Sequence, residues 1–122
     1  MLREVLRSKV YYATVTQAKL YYQGSITIDE AIMKKADIAA GEKVHVLDLN
    51  NGARFQTYVI KGRKNSGTIC LNGPAARLGQ VGDKVVILAY GALSETEMAK
   101  HKSRFVTLSD KNKVRKVAFK KH

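Results

Sequence analysis

Short β-forming segments separated by turn residues constrain this chain more than any other feature, and they point to a strand-rich fold. Residues 10–16, 43–49, 55–60, 68–71 and 84–90 are filled with β-branched and aromatic side chains, and each run is bounded by Gly, Asn, Asp or Ser. Asn51-Gly52 is the strongest turn signal; it predicts a tight hairpin with positive φ at its central residues, joining a strand that ends near Leu49 to one that starts near Arg54. Two short helices are expected where a capping residue precedes a glutamate three positions on: Thr27 with Glu30, and Ser94 with Glu97. In the first, Ile28, Ala31, Ile32 and Ala36 share one face, Lys34 and Lys35 face water, and the helix ends before Gly41. Many short strands with little helix favour a closed or nearly closed barrel, because closure removes exposed strand edges.

A chain of 122 residues is the size of one domain, and no linker or internal repeat divides it. It has no apolar run of about 18 residues that could span a bilayer and no secretory leader, so a cytoplasmic protein without a membrane partner is expected. The single cysteine, Cys70, lies in an apolar run and reads as a buried, inert thiol. The net charge of +12 raises the prospect of a polyanionic partner, but from Lys100 onward there are nine Lys or Arg against Asp110 alone, so the tail carries +8 of it. A basic terminal run of this kind reads as a solvated segment, and nucleic acid is not the expected partner. Its alternating stretch 113–119 predicts partial order, as a late strand or a loose end, and its removal should leave the chemistry intact.

Phosphate-binding loops, paired metal-ligand spacings, nucleophile elbows and dinucleotide fingerprints are all missing from the sequence. His45, His101 and His122 are scattered and read as surface or structural histidines, so no metal is expected. A reactive group must then come from elsewhere, and the stretch from Tyr21 to Thr27 offers a Gly24-Ser25 step between an aromatic segment and a capped one. Alone, that step is an ordinary turn.

Its company is more specific. Lys9 upstream, then Asn51-Gly52-x-Arg54-Phe55-x-Thr57-Tyr58, then Asn72-Gly73-Pro74-Ala75-Ala76-Arg77 and Val81-Gly82-Asp83 follow in an order and spacing that resemble the pyruvoyl-dependent aspartate 1-decarboxylases, over roughly residues 1 to 95. Tyr11 stands where many relatives have histidine, and Pro74 where many have alanine.

The resemblance implies a mainly β double-psi β-barrel with short flanking helices, residues 1–122 forming one domain and assembling as a homotetramer with active sites between subunits. It implies a zymogen that cleaves itself between Gly24 and Ser25 into chains 1–24 and 25–122. Ser25 would become a covalent pyruvoyl cofactor that forms a Schiff base with L-aspartate, with no metal and no pyridoxal phosphate. The product would be β-alanine for pantothenate and coenzyme A synthesis. Gly24, Ser25 and Thr57 would serve processing, Thr57 steadying the oxyanion as Ser25 attacks the Gly24 carbonyl. Tyr58 would donate the proton to the former α-carbon. Lys9 and Arg54 would hold the substrate carboxylate, and Thr57, Asn72, Gly73, Pro74 and Ala75 would complete the cradle, with Tyr22 as wall packing. A maturation partner is left open, as are two rival readings: a small basic barrel that binds nucleic acid, and an unprocessed, silent relative.

Overall fold

A computed structural model describes residues 1–122. The strands are β1 Arg3–Thr14, β2 Gln17–Lys19, β3 Ser25–Asp29, β4 Lys43–Asp48, β5 Arg54–Gly62, β6 Ile69–Asn72, β7 Lys84–Leu93, β8 Ser103–Leu108 and β9 Val114–Lys120. Helix α1 spans Glu30–Ala36, α2 spans Glu95–Lys100, and a 3-10 turn covers Gly73–Arg77. The strands hydrogen-bond in the order β2-β6-β3-β5-β4-β7-β1-β8-β9. Only Val15 and Thr16 separate β1 from β2, so the two ends of the run β2 to β1 are one stretch of chain and the sheet closes into a barrel. Thr16 seals the seam: its N–H donates to the Ile69 carbonyl at 2.8 Å, and its Oγ1 accepts from the Ile69 N–H at 3.0 Å. Parallel pairs β2/β6 and β3/β5 sit beside antiparallel neighbours, and the mainly β barrel is that expected for the double-psi architecture.

Alternation builds the core. Val44 and Val46 of β4, Ile26 and Ile28 of β3, and Val85, Ile87 and Ala89 of β7 are all fully buried in one 20-residue apolar cluster. Helix α1 adds Ile32, Met33 and Ala36 to it. No helix is long and apolar enough to cross a membrane.

Three local expectations change. Thr27 does not cap a helix; β3 continues through it, and Asp29 is the N-cap, its side chain accepting from the Ala31 N–H. Ile28 therefore belongs to a strand; α1 does end before Gly41 as expected, at Ala36, where Asp37 takes a left-handed conformation with φ 56°. The β4–β5 connection is a five-residue loop, 49–53, in which only Gly52 has positive φ, at 75°; Asn51 instead accepts the Ala53 N–H with its side chain. The Ser94–Glu97 capping box is present as expected. The basic tail is ordered: β8 lies parallel to β1, and β9 pairs antiparallel with β8.

Candidate active site

The register of β3 against β6 sets Ser25 directly opposite Asn72. Ser25 is fully buried. Its hydroxyl donates to the Gln23 carbonyl at 3.1 Å and accepts from Asn72 Nδ2 at 3.0 Å. The same Nδ2 reaches Thr27 Oγ1 at 3.0 Å, while Asn72 Oδ1 accepts from the Cys70 thiol at 3.2 Å. Burial pushes the Cys70 thiol up, so it stays protonated and serves as a donor. Cys70 is thus buried as expected, yet it orients the amide that holds Ser25. Neither Cys70 nor Thr27 was among the expected site residues.

Gly73 has φ 63°, and a Cβ there would lie 2.6 Å from the Tyr22 carbonyl oxygen and 2.9 Å from the Gly24 nitrogen. Only glycine lets the 22–24 segment lie against the start of the 3-10 turn. Pro74 packs on the other side of the same junction: a Cβ at Gly24 would meet its ring carbon Cδ at 3.3 Å. The Pro74 ring therefore buttresses Gly24.

A cleft of about 530 Å³ opens over this junction, lined by Gly24, Thr57, Tyr58, Pro74 and Ala75 together with Lys43. Tyr58 is 38% exposed, and its hydroxyl lies 3.5 Å from Gln23 Oε1. Lys43, the register partner of Tyr58 across β4 and β5, is a cation of the cleft that the motifs did not mark. Tyr22 is 55% exposed beside the junction.

Lys9 and Arg54 do not line the cleft. On β1, the Lys9 ammonium lies over the Tyr11 and Phe105 rings at 5.1 and 5.9 Å. At the start of β5, Arg54 directs Nη2 to the Tyr90 hydroxyl at 3.4 Å and lines a separate depression with Asp48 and Val86. One chain thus groups Gly24, Ser25, Thr57, Tyr58 and residues 72–75, and leaves two cations on other faces. The histidines have structural contacts: His45 stands edge-on to Tyr90, and His101 and His122 both meet the Ser103 hydroxyl.

Comparison with known proteins places this arrangement in context. A family profile described as aspartate decarboxylase matches residues 1–115. An aspartate 1-decarboxylase of Caldicellulosiruptor bescii is 60% identical over 93% of this chain and 89% of its own length. Those of Caldicellulosiruptor saccharolyticus and Clostridium beijerinckii are 58% and 51% identical, covering 98% and 96% of this chain and 94% of each relative. Among solved structures, the rationally designed protein mkDPBB_sym_86 aligns with a TM-score of 0.48 at 17% identity, over 63% of this chain and 90% of that one.

Proposed function

Because the chain belongs to the aspartate decarboxylase family, we propose that it removes the α-carboxylate of L-aspartate, giving β-alanine and carbon dioxide, by means of a pyruvoyl group made from its own Ser25. It is a carboxy-lyase, and the alternative of a nucleic-acid-binding module is not favoured by a family match that runs nearly the full length.

The observation that carries the reading is the trapped hydroxyl of Ser25, buried at a glycine junction and held between Asn72 Nδ2 and the Gln23 carbonyl. From that position Oγ attacks the Gly24 carbonyl carbon; a C–O bond forms, the C–N bond breaks, and the amide becomes an ester. The contacts of residues 22–24 with Gly73 and Pro74 restrain the junction, and Thr57 lines the same cleft as the carbonyl where oxyanion charge develops. Loss of the Ser25 α-proton expels the Gly24 carboxylate, and hydrolysis of the resulting alkene releases ammonia and leaves a ketone. These residues fit the pyruvoyl group, which supplies a carbonyl that captures the substrate amine and receives the electron pair left by carbon dioxide.

The chain's own residues then bind and deliver protons. Tyr58, half-exposed at the cleft wall, donates to the former α-carbon. Ala75 lines the cleft, and Asn72 with the backbone N–H groups of Gly73 and Ala75 would complete the cradle, whereas Pro74 has no N–H to offer. Lys9 and Arg54 reach the carboxylate from neighbouring subunits of a homotetramer, which accounts for their lying outside the cleft of a single chain. The β-alanine formed feeds pantothenate and coenzyme A synthesis.

Denaturing mass spectrometry tests the reading. The mature protein should give fragments 1–24 and 25–122, the larger blocked to Edman degradation, while Ser25→Ala stays whole and releases no carbon dioxide from aspartate. Parent-rate turnover by the intact variant would end the proposal.

A further inference from the structure

Two carboxyl groups outside this chemistry meet where two loops beside the cleft approach each other. Asp48, at the end of β4, is 3% exposed. Its Oδ1 accepts the Asn50 N–H at 2.8 Å, but its Oδ2 is fully buried and meets no hydrogen-bond donor. Asp83 lies across the gap, its Oδ2 accepting the Gln80 N–H at 3.0 Å. Gly79 sits between them: a Cβ there would fall 2.9 Å from Asp48 Oδ2 and 3.7 Å from Asp83 Oδ2. The missing side chain lets the carboxyls approach. Two ionised carboxylates in that position repel, and the buried oxygen would carry charge with nothing to donate to it. One proton held between them removes both penalties.

We propose that Asp48 and Asp83 share a single proton, carried on Asp48 Oδ2, and that the pair is a positioning latch fastening loop 49–53, which leads into Arg54, onto residues 78–83, which follow the substrate cradle. The role rests on the reading of Arg54 and residues 72–75 given above. A second bond spans the same gap, Asn51 Nδ2 donating to the Leu78 carbonyl at 2.7 Å. Asp48 Oδ2 is the buried oxygen without a donor, whereas Asp83 Oδ2 already accepts from Gln80, so the proton belongs to Asp48. Burial and the neighbouring Asp83 carboxyl raise Asp48 above the usual carboxylate range, and the Asp48 carboxyl and the Gln80 amide lower Asp83. Surrounding cations do not replace it. Lys84 directs its ammonium to Thr14 and Asp110, Arg54 turns to Tyr90, and Arg77 makes no ion pair. With Asp48 raised and Asp83 lowered, the latch holds between the two pKa values and is lost as pH rises through that of Asp48.

Asp48→Asn separates the possibilities, because its amide oxygen keeps the Asn50 bond and its N–H can donate permanently to Asp83. In a Ser25→Ala background, where turnover plays no part, hydrogen exchange of amides 49–53 reads the latch directly. With Asp48 in place, protection relative to intrinsic exchange should fall by up to about tenfold per pH unit above the pKa. In Asp48→Asn it should be flat, and in Asp48→Ala low throughout. An identical pH dependence with and without the Asp48→Asn substitution would overturn the shared proton. In the processed enzyme, kcat/KM for aspartate should fall as pH rises through the pKa of Asp48, and Asp48→Asn should remove that fall. An unaltered profile would overturn the positioning role while leaving the Ser25 reading untouched.

Discussion

At the scale of single residues, Asn72 concentrates the site's geometry. Its amide has a fixed orientation, because a protonated Cys70 thiol faces Oδ1 and two hydroxyls face Nδ2. Asn72→Ala should therefore leave Ser25 free to rotate away from the Gly24 carbonyl. Self-cleavage should slow by roughly tenfold to a hundredfold, since a single well-placed donor in such a step is worth that or more. A time course of the 25–122 fragment by mass spectrometry checks this, and an unchanged rate would remove Asn72 from processing. Ser25, Thr57 and Asn72 were legible in the sequence because each stands in a spaced motif. Cys70 and Thr27 were not: the Cys70 thiol turns to Asn72 two residues on, and Thr27 meets Asn72 only because β3 pairs with β6, contacts that no motif spacing marks. Lys43 was hidden for the same reason, its nearness to Tyr58 being a product of strand register.

At the scale of elements, the two capping patterns show when local reading suffices. Ser94 follows directly on Leu93, the last residue of β7, and with no sheet partner competing for its backbone the Ser94–Glu97 box forms as read. Its hydrogen bonds to Ser94 hold the Glu97 carboxyl below its ordinary range. Thr27 carries the same spacing to Glu30, but its backbone is taken by β5 on one side and β6 on the other, so the helix begins after Asp29. The fully buried Asp29 carboxylate does more than cap. Oδ1 accepts from Ala31 and Asn65, and Oδ2 from Gly67, which ties α1 to the β5–β6 loop. Asp29→Ala leaves these donors without a partner and should cost about 3 kcal/mol, against about 1 kcal/mol for Ser94→Ala at an exposed cap. Urea denaturation of the Ser25→Ala precursor compares the two, and equal losses would mean that Asp29 is only a cap.

At the scale of the molecule, the barrel was legible and the role of the tail was not. Alternating apolar residues and turn signals suffice for a closed β fold, but a high density of lysine and arginine reads as solvated chain when its partners cannot be seen. In the fold those charges lie on the outside of a hairpin, with Arg104 over the Phe119 ring at 5.1 Å and Lys120 over Phe105 at 4.6 Å, so their stems cover aromatic surface. Strand β8 is the outer neighbour of β1 along Ser8 to Tyr11, which includes Lys9. The turn between β8 and β9 carries the buried Asn112. Its Oδ1 accepts the Thr14 N–H, and its Nδ2 donates to the carbonyls of Thr14 and Gly67, each at 2.8 Å. The hairpin is thus bolted to the barrel seam, so removing the tail bears on the stability of the barrel before it bears on the chemistry. Deleting residues 101–122 would strip β1 of its parallel partner and leave the Thr14 and Gly67 backbone groups unpaired. The deletion should therefore abolish cooperative unfolding rather than merely shorten the chain. Asn112→Ala isolates the bolt: losing three buried hydrogen bonds should lower stability by about 3 kcal/mol, read as a shift in urea midpoint at unchanged slope. A truncated chain that unfolds cooperatively at the parent midpoint would make β8 and β9 an ornament on a self-sufficient barrel, and Lys9 would then owe its position to β7 alone.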